Sequence, residues 1–263
     1  MRRPIGGYTA GIAGARVGCS GFSYKDWRGV VYPTDVPQGR WLQYYATLFD
    51  TVELNNTFYR LPTLHAVDQW AAAVPENFLF AFKLGAFGTH RKKLLDPGSW
   101  LPKHFERAER LGSKLGPTLV QLPPNWRRNA NRLDEFLALV PRATWWAVEV
   151  RDASWLHDDV FEVLRRHDVA LCVHDLLADH PFILTTDWTY LRFHGPNAIS
   201  NPYRGGYGAH RLRPWVARLK CVLDAGHDVY CYFNNDYDGS AVSDAQWLLA
   251  ALAPEATESL SVN

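Results

Sequence analysis

The chain has 263 residues, enough for one large α/β domain or two small ones, and 47% of them are hydrophobic, enough for a substantial core. Lys and Arg total 28 and Asp and Glu total 27, so the formal net charge is +1. This balance creates no overall field that would draw a nucleic acid or an anionic membrane. Any anion-binding site must therefore be local.

The four cysteines form neither a CxxC pair nor a metal-finger spacing, which indicates a reducing compartment. The sequence contains no signal-peptide core and no apolar run of about 18 residues. We therefore expect a cytoplasmic protein without a membrane partner. Residues 1–15 and 254–263 are predicted to be flexible tails, and 16–253 a single domain.

Short β-branched or aromatic runs alternate with longer helical patterns from residue 16 onward, as in βαβ units around a parallel sheet. The runs that predict strands are 16–20, 51–56, 79–84, 118–122, 146–151, 170–174, 190–194 and 229–234. Eight alternations in about 240 residues are typical of a closed (β/α)8 TIM-type barrel. An open, doubly wound sheet is the alternative.

Residues that favour helix ends support this alternation. The predicted helices are 65–73 after Thr63, 133–140 after Asn131, 157–166 after Ser154, and 215–225 before Gly226. The sixth connection, 175–188, is expected to be mostly loop. Long connections rich in Gly and Pro follow the first, third and seventh strands, at 22–39, 85–99 and 195–210.

Polar residues recur with period two in five of the predicted strands, opposite apolar neighbours. The set is Glu53, Asn55, Lys83, Gln121, Glu149, Arg151, Arg192 and His194. An ionised side chain trapped under the helices without a partner would be strongly unfavourable, so we expect these groups to point into the barrel. His174, Asn234, Asn235 and Asp236 end strands six and eight and should join the same mouth, where barrel enzymes place catalytic groups.

Several segments also form a pattern that resembles a known family. They are GCSGF at 18–22 with Trp27, ELNNTFYR at 53–60, KLGP at 114–117, QLPP at 121–124, 149–155, YLRFHG at 190–195 and YFNND at 232–236. This order of segments resembles the YecE-like family, known as domain of unknown function 72. The resemblance covers roughly residues 16–252 and implies a barrel fold, but it implies no activity and no catalytic residue.

The charge pattern favours an enzyme that holds a small anionic, phosphorylated molecule at this mouth. Glu149, with Glu53 or His194, is expected to transfer protons, and Lys83 is a complementary acid. The residues expected to hold the ligand are Arg151, Arg192, Tyr59, Arg60, Gln121, His174, Tyr207, Asn234, Asn235 and Asp236. The glycine-rich loop 203–208 before the last helices could present backbone N–H groups to a phosphate.

Other interpretations remain open. The charged groups would equally suit a purely structural ion-pair network that closes the barrel. Basic residues at 90–93 and 127–128, with loop aromatics, suit a nucleic-acid-binding barrel, which is our second hypothesis. A metal-dependent hydrolase or isomerase is the second alternative, although the sequence lacks the paired ligand spacings typical of such sites. No metal or other cofactor is predicted.

A glycosidase needs two carboxylates, and the resemblance to barrel glycosidases implies that they would lie at the ends of strands four and seven. Gln121 and His194 stand there instead, so a glycosidase is disfavoured.

Overall fold

The computed structural model describes residues 14–253, and the predicted tails lie almost entirely outside this range. Its strands are β1 Ala15–Cys19, β2 Thr51–Leu54, β3 Leu79–Lys83, β4 Leu115–Gln121, β5 Trp146–Glu149, β6 Ala170–His174, β7 Trp188–Phe193 and β8 Asp228–Phe233. The α-helices are α1 Trp41–Leu48, α2 Leu64–Ala72, α3 Leu101–Glu109, α4 Ala130–Leu137, α5 Asp158–His167, α6 Gly208–Asp224 and α7 Ser240–Leu252.

The strands form one parallel sheet in the order β1-β8-β7-β6-β5-β4-β3-β2. The two ends of this order, β1 and β2, come together, so the sheet is a nearly closed barrel with helices between its strands. The predicted (β/α)8 architecture is confirmed, and the open doubly wound sheet is wrong. As expected, no α-helix was found between β6 and β7 in the described chain.

A tyrosine hydroxyl bridges the seam between β1 and β2. Tyr45 on α1 accepts a hydrogen bond from the Cys19 backbone N–H over 2.8 Å and donates to the Thr51 carbonyl over 3.0 Å. Gly18 allows this close approach, because a Cβ there would lie 2.8 Å from the Tyr45 hydroxyl. A side chain of the first helix thus replaces part of the missing strand pairing.

Tyr45→Phe should therefore weaken the barrel at this seam. It leaves a buried N–H and a buried carbonyl without their shared partner, and we expect a loss of about 1–3 kcal/mol in the free energy of unfolding. Urea denaturation measures this loss. The control is Tyr44→Phe, because Tyr44 is a half-buried tyrosine on the same helix. Equal stability of the two variants would show that the bridge is dispensable.

The predicted element ends differ from the observed ones for local reasons. β2 and β5 each end two residues earlier than predicted, and each is followed by a short 3-10 helix, Asn55–Phe58 after β2 and Ala153–Trp155 after β5. Asn129 and not Asn131 caps α4, since its side chain accepts from the Arg132 N–H over 2.9 Å. Thr63 caps α2 as predicted, through a 3.1 Å bond from the Ala66 N–H.

Two large apolar clusters fill the space between the sheet and the surrounding helices. A third, smaller cluster includes Leu79, Leu119, Ala147, Tyr190 and Tyr232, the inward-facing residues of the strands. The barrel is therefore packed in its lower half and leaves its C-terminal end for polar groups. Among the helices of the described residues, none combines the length and the apolar character needed to cross a membrane.

Candidate functional site at the barrel mouth

A layer of buried charged side chains lies above the apolar interior, toward the C-terminal ends of the strands. It contains Glu53 on β2, Lys83 on β3, Glu149 on β5 and Arg192 on β7. Buried charges are strongly unfavourable unless they are paired. Their partners therefore determine which of these groups are free for chemistry.

Arg192 lies at the centre of this layer and crosses the barrel. Its Nη1 donates to Oε2 of Glu149 over 2.6 Å, and its Nη2 donates to Oε1 of Glu53 over 2.7 Å. All three side chains are fully buried, so one guanidinium joins β7 to β5 and β2 through the interior. These side chains point into the barrel, as predicted, because they pair with one another there.

Glu53 is saturated with hydrogen bonds. The Tyr190 hydroxyl donates to its Oε2 over 2.6 Å, and the Ser20 hydroxyl joins Arg192 at its Oε1. Arg192 also donates to the Ser20 oxygen over 2.9 Å. A buried carboxylate that accepts three hydrogen bonds neutralises Arg192 and has little capacity left for a ligand.

Glu149 is held between two arginines. Nε of Arg151 donates to its Oε1, and Arg192 occupies its Oε2. Burial opposes the ionisation of Glu149, but the attraction of Arg151 and Arg192 outweighs it and lowers the pKa well below the usual range. Glu149 is therefore ionised at neutral pH and poorly suited to be a general base, because it has little tendency to take up a proton.

His194 belongs to a hydrogen-bonded chain with Asp175 and Tyr207. Its Nδ1 lies 3.0 Å from Oδ1 of Asp175, whose Oδ2 accepts from the Tyr207 hydroxyl. Its Nε2 faces Nη2 of Arg151 at 3.4 Å and Nη1 of Arg192 at 3.3 Å. Arginine can only donate, so Nε2 accepts and the ring is neutral, with its proton on Nδ1.

Burial shapes the ionisation of this chain as well. Burial and then repulsion by Arg192 lower the pKa of His194 well below its usual value. Burial raises the pKa of Asp175 to about 6. Because His194 is fully buried, we interpret the hydrogen-bonded series from Tyr207 through Asp175 to His194 as a support that orients Arg151 and Arg192.

Lys83 is paired differently, since none of the carboxylates within residues 14–253 forms an ion pair with it. Its Nζ donates to Oδ1 of Asn55 over 2.8 Å and lies 4.5 Å from the centre of the Phe58 ring. Burial, and then the charge of Arg192, lower the pKa of Lys83 to about 7. Much of this amine is uncharged at neutral pH, and it can both accept and release a proton.

A cavity of about 710 Å³ opens above this layer, within the size range of small-molecule sites. The barrel strands and their ends supply its inner side, and the long loops supply its rim. Its lining residues are Tyr24, Lys25, Asp26, Asn55, Phe58, Tyr59, Lys83, Gln121, Arg151, Pro202, Tyr203, Arg204, Asn234, Asp236 and Tyr237.

The cavity contains more cationic than acidic side chains. Lys25, Lys83, Arg151 and Arg204 line it together with only two acids, Asp26 and Asp236. Arg204 stacks over the ring of Tyr237 at 4.1 Å from its centre. Within the described residues, neither Lys25 nor Arg204 has a carboxylate partner, and Nη1 of Arg151 makes no hydrogen bond to protein.

Asp236 brings a second group that titrates near neutrality to this cavity. It follows β8, and its carbonyl accepts from the Trp27 indole N–H over 2.7 Å, which ties the first loop to the eighth. Burial raises the pKa of the Asp236 carboxyl to about 6. Lys83 and Asp236 therefore approach from strands three positions apart around the barrel.

The structure divides the predicted site residues into three sets. Those that line the cavity are Lys83, Arg151, Tyr59, Gln121, Asn234 and Asp236. Those buried beneath it are Glu53, Glu149, Arg192 and His194. Those outside its lining are Arg60, His174, Tyr207 and Asn235.

In the third set, His174, Tyr207 and Asn235 have other contacts, whereas Arg60 is exposed. His174 places Nε2 2.6 Å from the Val150 carbonyl and accepts from the Leu176 N–H, and burial lowers its pKa to about 3. Asn235 donates to the Gly205 carbonyl and to Asp244. These residues hold the loops around the mouth.

Two backbone N–H groups of the glycine-rich loop 203–208 are bound by a carboxylate of the protein. The N–H groups of Tyr207 and Gly208, at the start of α6, donate to the Asp244 carboxylate over 2.9 and 3.1 Å. A carboxylate from α7 thus occupies the donors that a phosphate would use. Tyr203 and Arg204 of the same loop do line the cavity.

Sequence reasoning missed several groups. Tyr190 alternates with Arg192 and His194, so the period-two pattern could have placed it inward. Asp175 directly follows strand six, but nothing in the sequence connects it to His194. Among residues 14–253, no group of three or more His, Cys, Asp or Glu side chains is placed to hold a metal ion.

The lowered pKa of Lys83 predicts a pH dependence of stability. Between about pH 7 and 10.5, Lys83 binds more protons in the unfolded chain than in the folded one. The buried amine therefore destabilises the fold fully below pH 7, and this effect is lost as the pH rises toward 10.5. Lys83→Met should therefore raise the free energy of unfolding more at about pH 6 than at about pH 10. Urea denaturation at both values measures the difference, and Lys220→Met on α6 is the control. An equal effect at both pH values would contradict a buried amine of lowered pKa.

The fold and the site together define a (β/α)8 barrel with a charged cavity at its C-terminal mouth, where barrel enzymes carry their active sites. The sequence profile of the family described as "Protein of unknown function DUF72" matches residues 16–262, and the chain belongs to this family. The predicted resemblance is confirmed.

Relatives extend this assignment without adding an activity. UPF0759 protein YunF of Bacillus subtilis (strain 168) is 25% identical over 277 residues, covering 90% of this chain and 94% of YunF. UPF0759 protein YecE of Escherichia coli (strain K12) is 32% identical over 111 residues, 42% of this chain and only 41% of YecE. A solved DUF72 family protein from Thermotoga maritima is 29% identical, with a TM-score of 0.74, covering 90% of this chain and 98% of that one.

Proposed function

We propose that the protein is an enzyme that binds a small molecule carrying a phosphate or carboxylate group in the mouth cavity. The free edge of Arg151, together with Arg204, binds the anionic group, and Asn234 and Gln121 orient the ligand. Lys83 and Asp236 transfer protons. The observation that carries this proposal is that Lys25 and Arg204 line the cavity without a carboxylate partner among residues 14–253, beside the unbonded Nη1 of Arg151.

The paired network beneath supports this distribution of roles. The negative charges of Glu53 and Glu149 balance the positive charges of Arg192 and Arg151. This buried layer, which forms the floor of the cavity, is therefore close to neutral. Lys25 and Arg204 then remain above it without a carboxylate partner among residues 14–253, and Arg151 contributes its outer Nη1 edge. Arg151 is half-buried, and a partly desolvated charge attracts an anion more strongly than the same charge in water.

Proton transfer is assigned to the two cavity-lining groups whose pKa values are shifted to near neutrality. A general acid or base works best when its pKa lies near the operating pH. The pKa of Lys83, about 7, and that of Asp236, about 6, meet this condition. Glu149, Glu53 and His194, the first candidates from the sequence, are fully buried below the cavity and fit a supporting role better.

Anion binding is tested by thermal stabilisation and calorimetric titration with inorganic phosphate and with pyruvate. A ligand that binds only the folded state raises the melting temperature by mass action. Arg204→Gln should weaken binding about tenfold, or ~1.4 kcal/mol, whereas Arg213→Gln on the exposed face of α6 should not change it. Equal binding by both variants, or no binding by either anion, would contradict the proposal.

A nucleic-acid ligand is the second candidate, favoured by the aromatic rim. Tyr59, Tyr203 and Tyr237 border the cavity and are 79%, 41% and 48% exposed, as stacking platforms would be. Short single-stranded oligonucleotides therefore form a further arm of the same titration. Binding of oligonucleotide but not of either small anion, with a steep loss in salt, would favour this candidate over the first.

A further inference from the structure

We propose that Lys83 forms a covalent imine with the substrate, which is then an aldehyde or ketone that also carries a phosphate or carboxylate group. This inference rests on the proposed function and names the substrate class of the same cavity. It follows from where the amine lies, what surrounds it and what it lacks.

The amine is buried and yet reaches the cavity. Lys83 is only 4% exposed, and it belongs to the cavity lining. Its position at the end of β3, a rigid element, fixes the Cα, and the hydrogen bond to Asn55 fixes the Nζ. A bound carbonyl would therefore meet a nucleophile that is already oriented.

The surroundings of the amine favour its neutral, nucleophilic form. The Phe58 ring covers one side of it at 4.5 Å. Burial, and then the positive charge of Arg192, lower the pKa of Lys83 to about 7 against the opposing charges of Glu53 and Glu149. Desolvation and a neighbouring cation are the two means by which proteins activate a lysine as a nucleophile.

A merely structural lysine would be paired differently. Lys114, the other buried lysine of the described chain, donates to the carbonyls of Ala71 and Val74 and lies 3.2 Å from Glu76. Lys83 has one neutral acceptor, Asn55, and no carboxylate. Its charged form is thus poorly stabilised where that of Lys114 is well stabilised.

The reaction balances without a further reagent. The Nζ lone pair bonds to the carbonyl carbon, and the C=O π pair moves to the oxygen. That oxygen takes one proton from Nζ and a second from the protonated Asp236 carboxyl or from solvent, and it leaves as water. The nitrogen keeps one hydrogen in the C=N⁺ bond, and the anionic group remains with Arg151 and Arg204.

The test is reduction by sodium borohydride during incubation with glycolaldehyde phosphate or with pyruvate, followed by mass spectrometry. The two compounds separate a phosphorylated from a carboxylated substrate. We expect a single reduced adduct on the peptide that contains Lys83 in the wild type and in Lys220→Arg, and its loss in Lys83→Arg. Mapping in the wild type does not depend on the folding of any variant.

Several outcomes would overturn the inference. They are adducts spread over exposed lysines, an undiminished adduct in a folded Lys83→Arg variant, and no adduct with either compound. If phosphate or pyruvate still stabilises the protein in those cases, the imine is wrong while the anion site stands. If neither anion binds, the proposed function fails with it.

Discussion

Arg192→Met should lower the free energy of unfolding by about 3–5 kcal/mol, because it leaves two buried carboxylates without their shared counter-charge. Glu53 and Glu149 accept hydrogen bonds from Arg192 over 2.7 and 2.6 Å, and all three side chains are fully buried. Water does not reach these groups, so it cannot replace the lost hydrogen bonds. Urea denaturation at neutral pH measures the effect.

Two further variants interpret the result. Arg213→Met changes an exposed arginine on α6 and should alter stability by less than about 0.5 kcal/mol. Adding Glu53→Gln to Arg192→Met removes the carboxylate that loses its ion-pair partner, whereas Glu149 keeps Arg151, and should restore part of the loss. An Arg192→Met variant as stable as the wild type would show that the network does not hold the strands together.

Glu149→Gln should have two opposite effects, on stability and on anion binding. It removes the charge shared by two arginines and should lower the free energy of unfolding by about 3 kcal/mol. It also leaves Arg151 without its counter-charge, so the affinity for inorganic phosphate should rise. The free energy of unfolding with and without phosphate measures both.

The exposed Glu109→Gln on α3 is the matched control and should show neither effect. A Glu149→Gln variant of unchanged stability that binds phosphate more weakly would identify Glu149 as a ligand-binding group. If phosphate restores stability to Glu149→Gln but leaves the stability of Glu109→Gln unchanged, the result would support the division between a structural floor and a binding cavity.

The period of the strands was enough to predict which polar side chains share the barrel interior. Glu53, Glu149 and Arg192 are separated by up to 139 residues, yet period two and the barrel fold place them in one layer. How deeply each side chain lies below the cavity was not predictable in this way. The sequence does not show that Glu149 is covered by Arg151, or that Lys83 alone among the buried charges reaches the cavity without a carboxylate partner.

Contacts between distant loops were also out of reach. Asp244 binds the N–H groups at the start of α6 from 36 and 37 residues away, and this changes the expected role of loop 203–208. Asp175 meets His194 by the adjacency of β6 and β7, which follows from the barrel, but its orientation depends on Tyr207 from the next loop. Such pairings are set by loop conformation, which has no periodic signal.

The most direct test of a cation-lined cavity above a neutral floor is a crystal structure determined from phosphate-containing solution at neutral pH. We predict a phosphate within hydrogen-bond distance of Arg204 and of the free Nη1 of Arg151, with Arg192 still bound to Glu53 and Glu149. Phosphate bound only elsewhere on the barrel, with the mouth cavity holding none, would contradict the account.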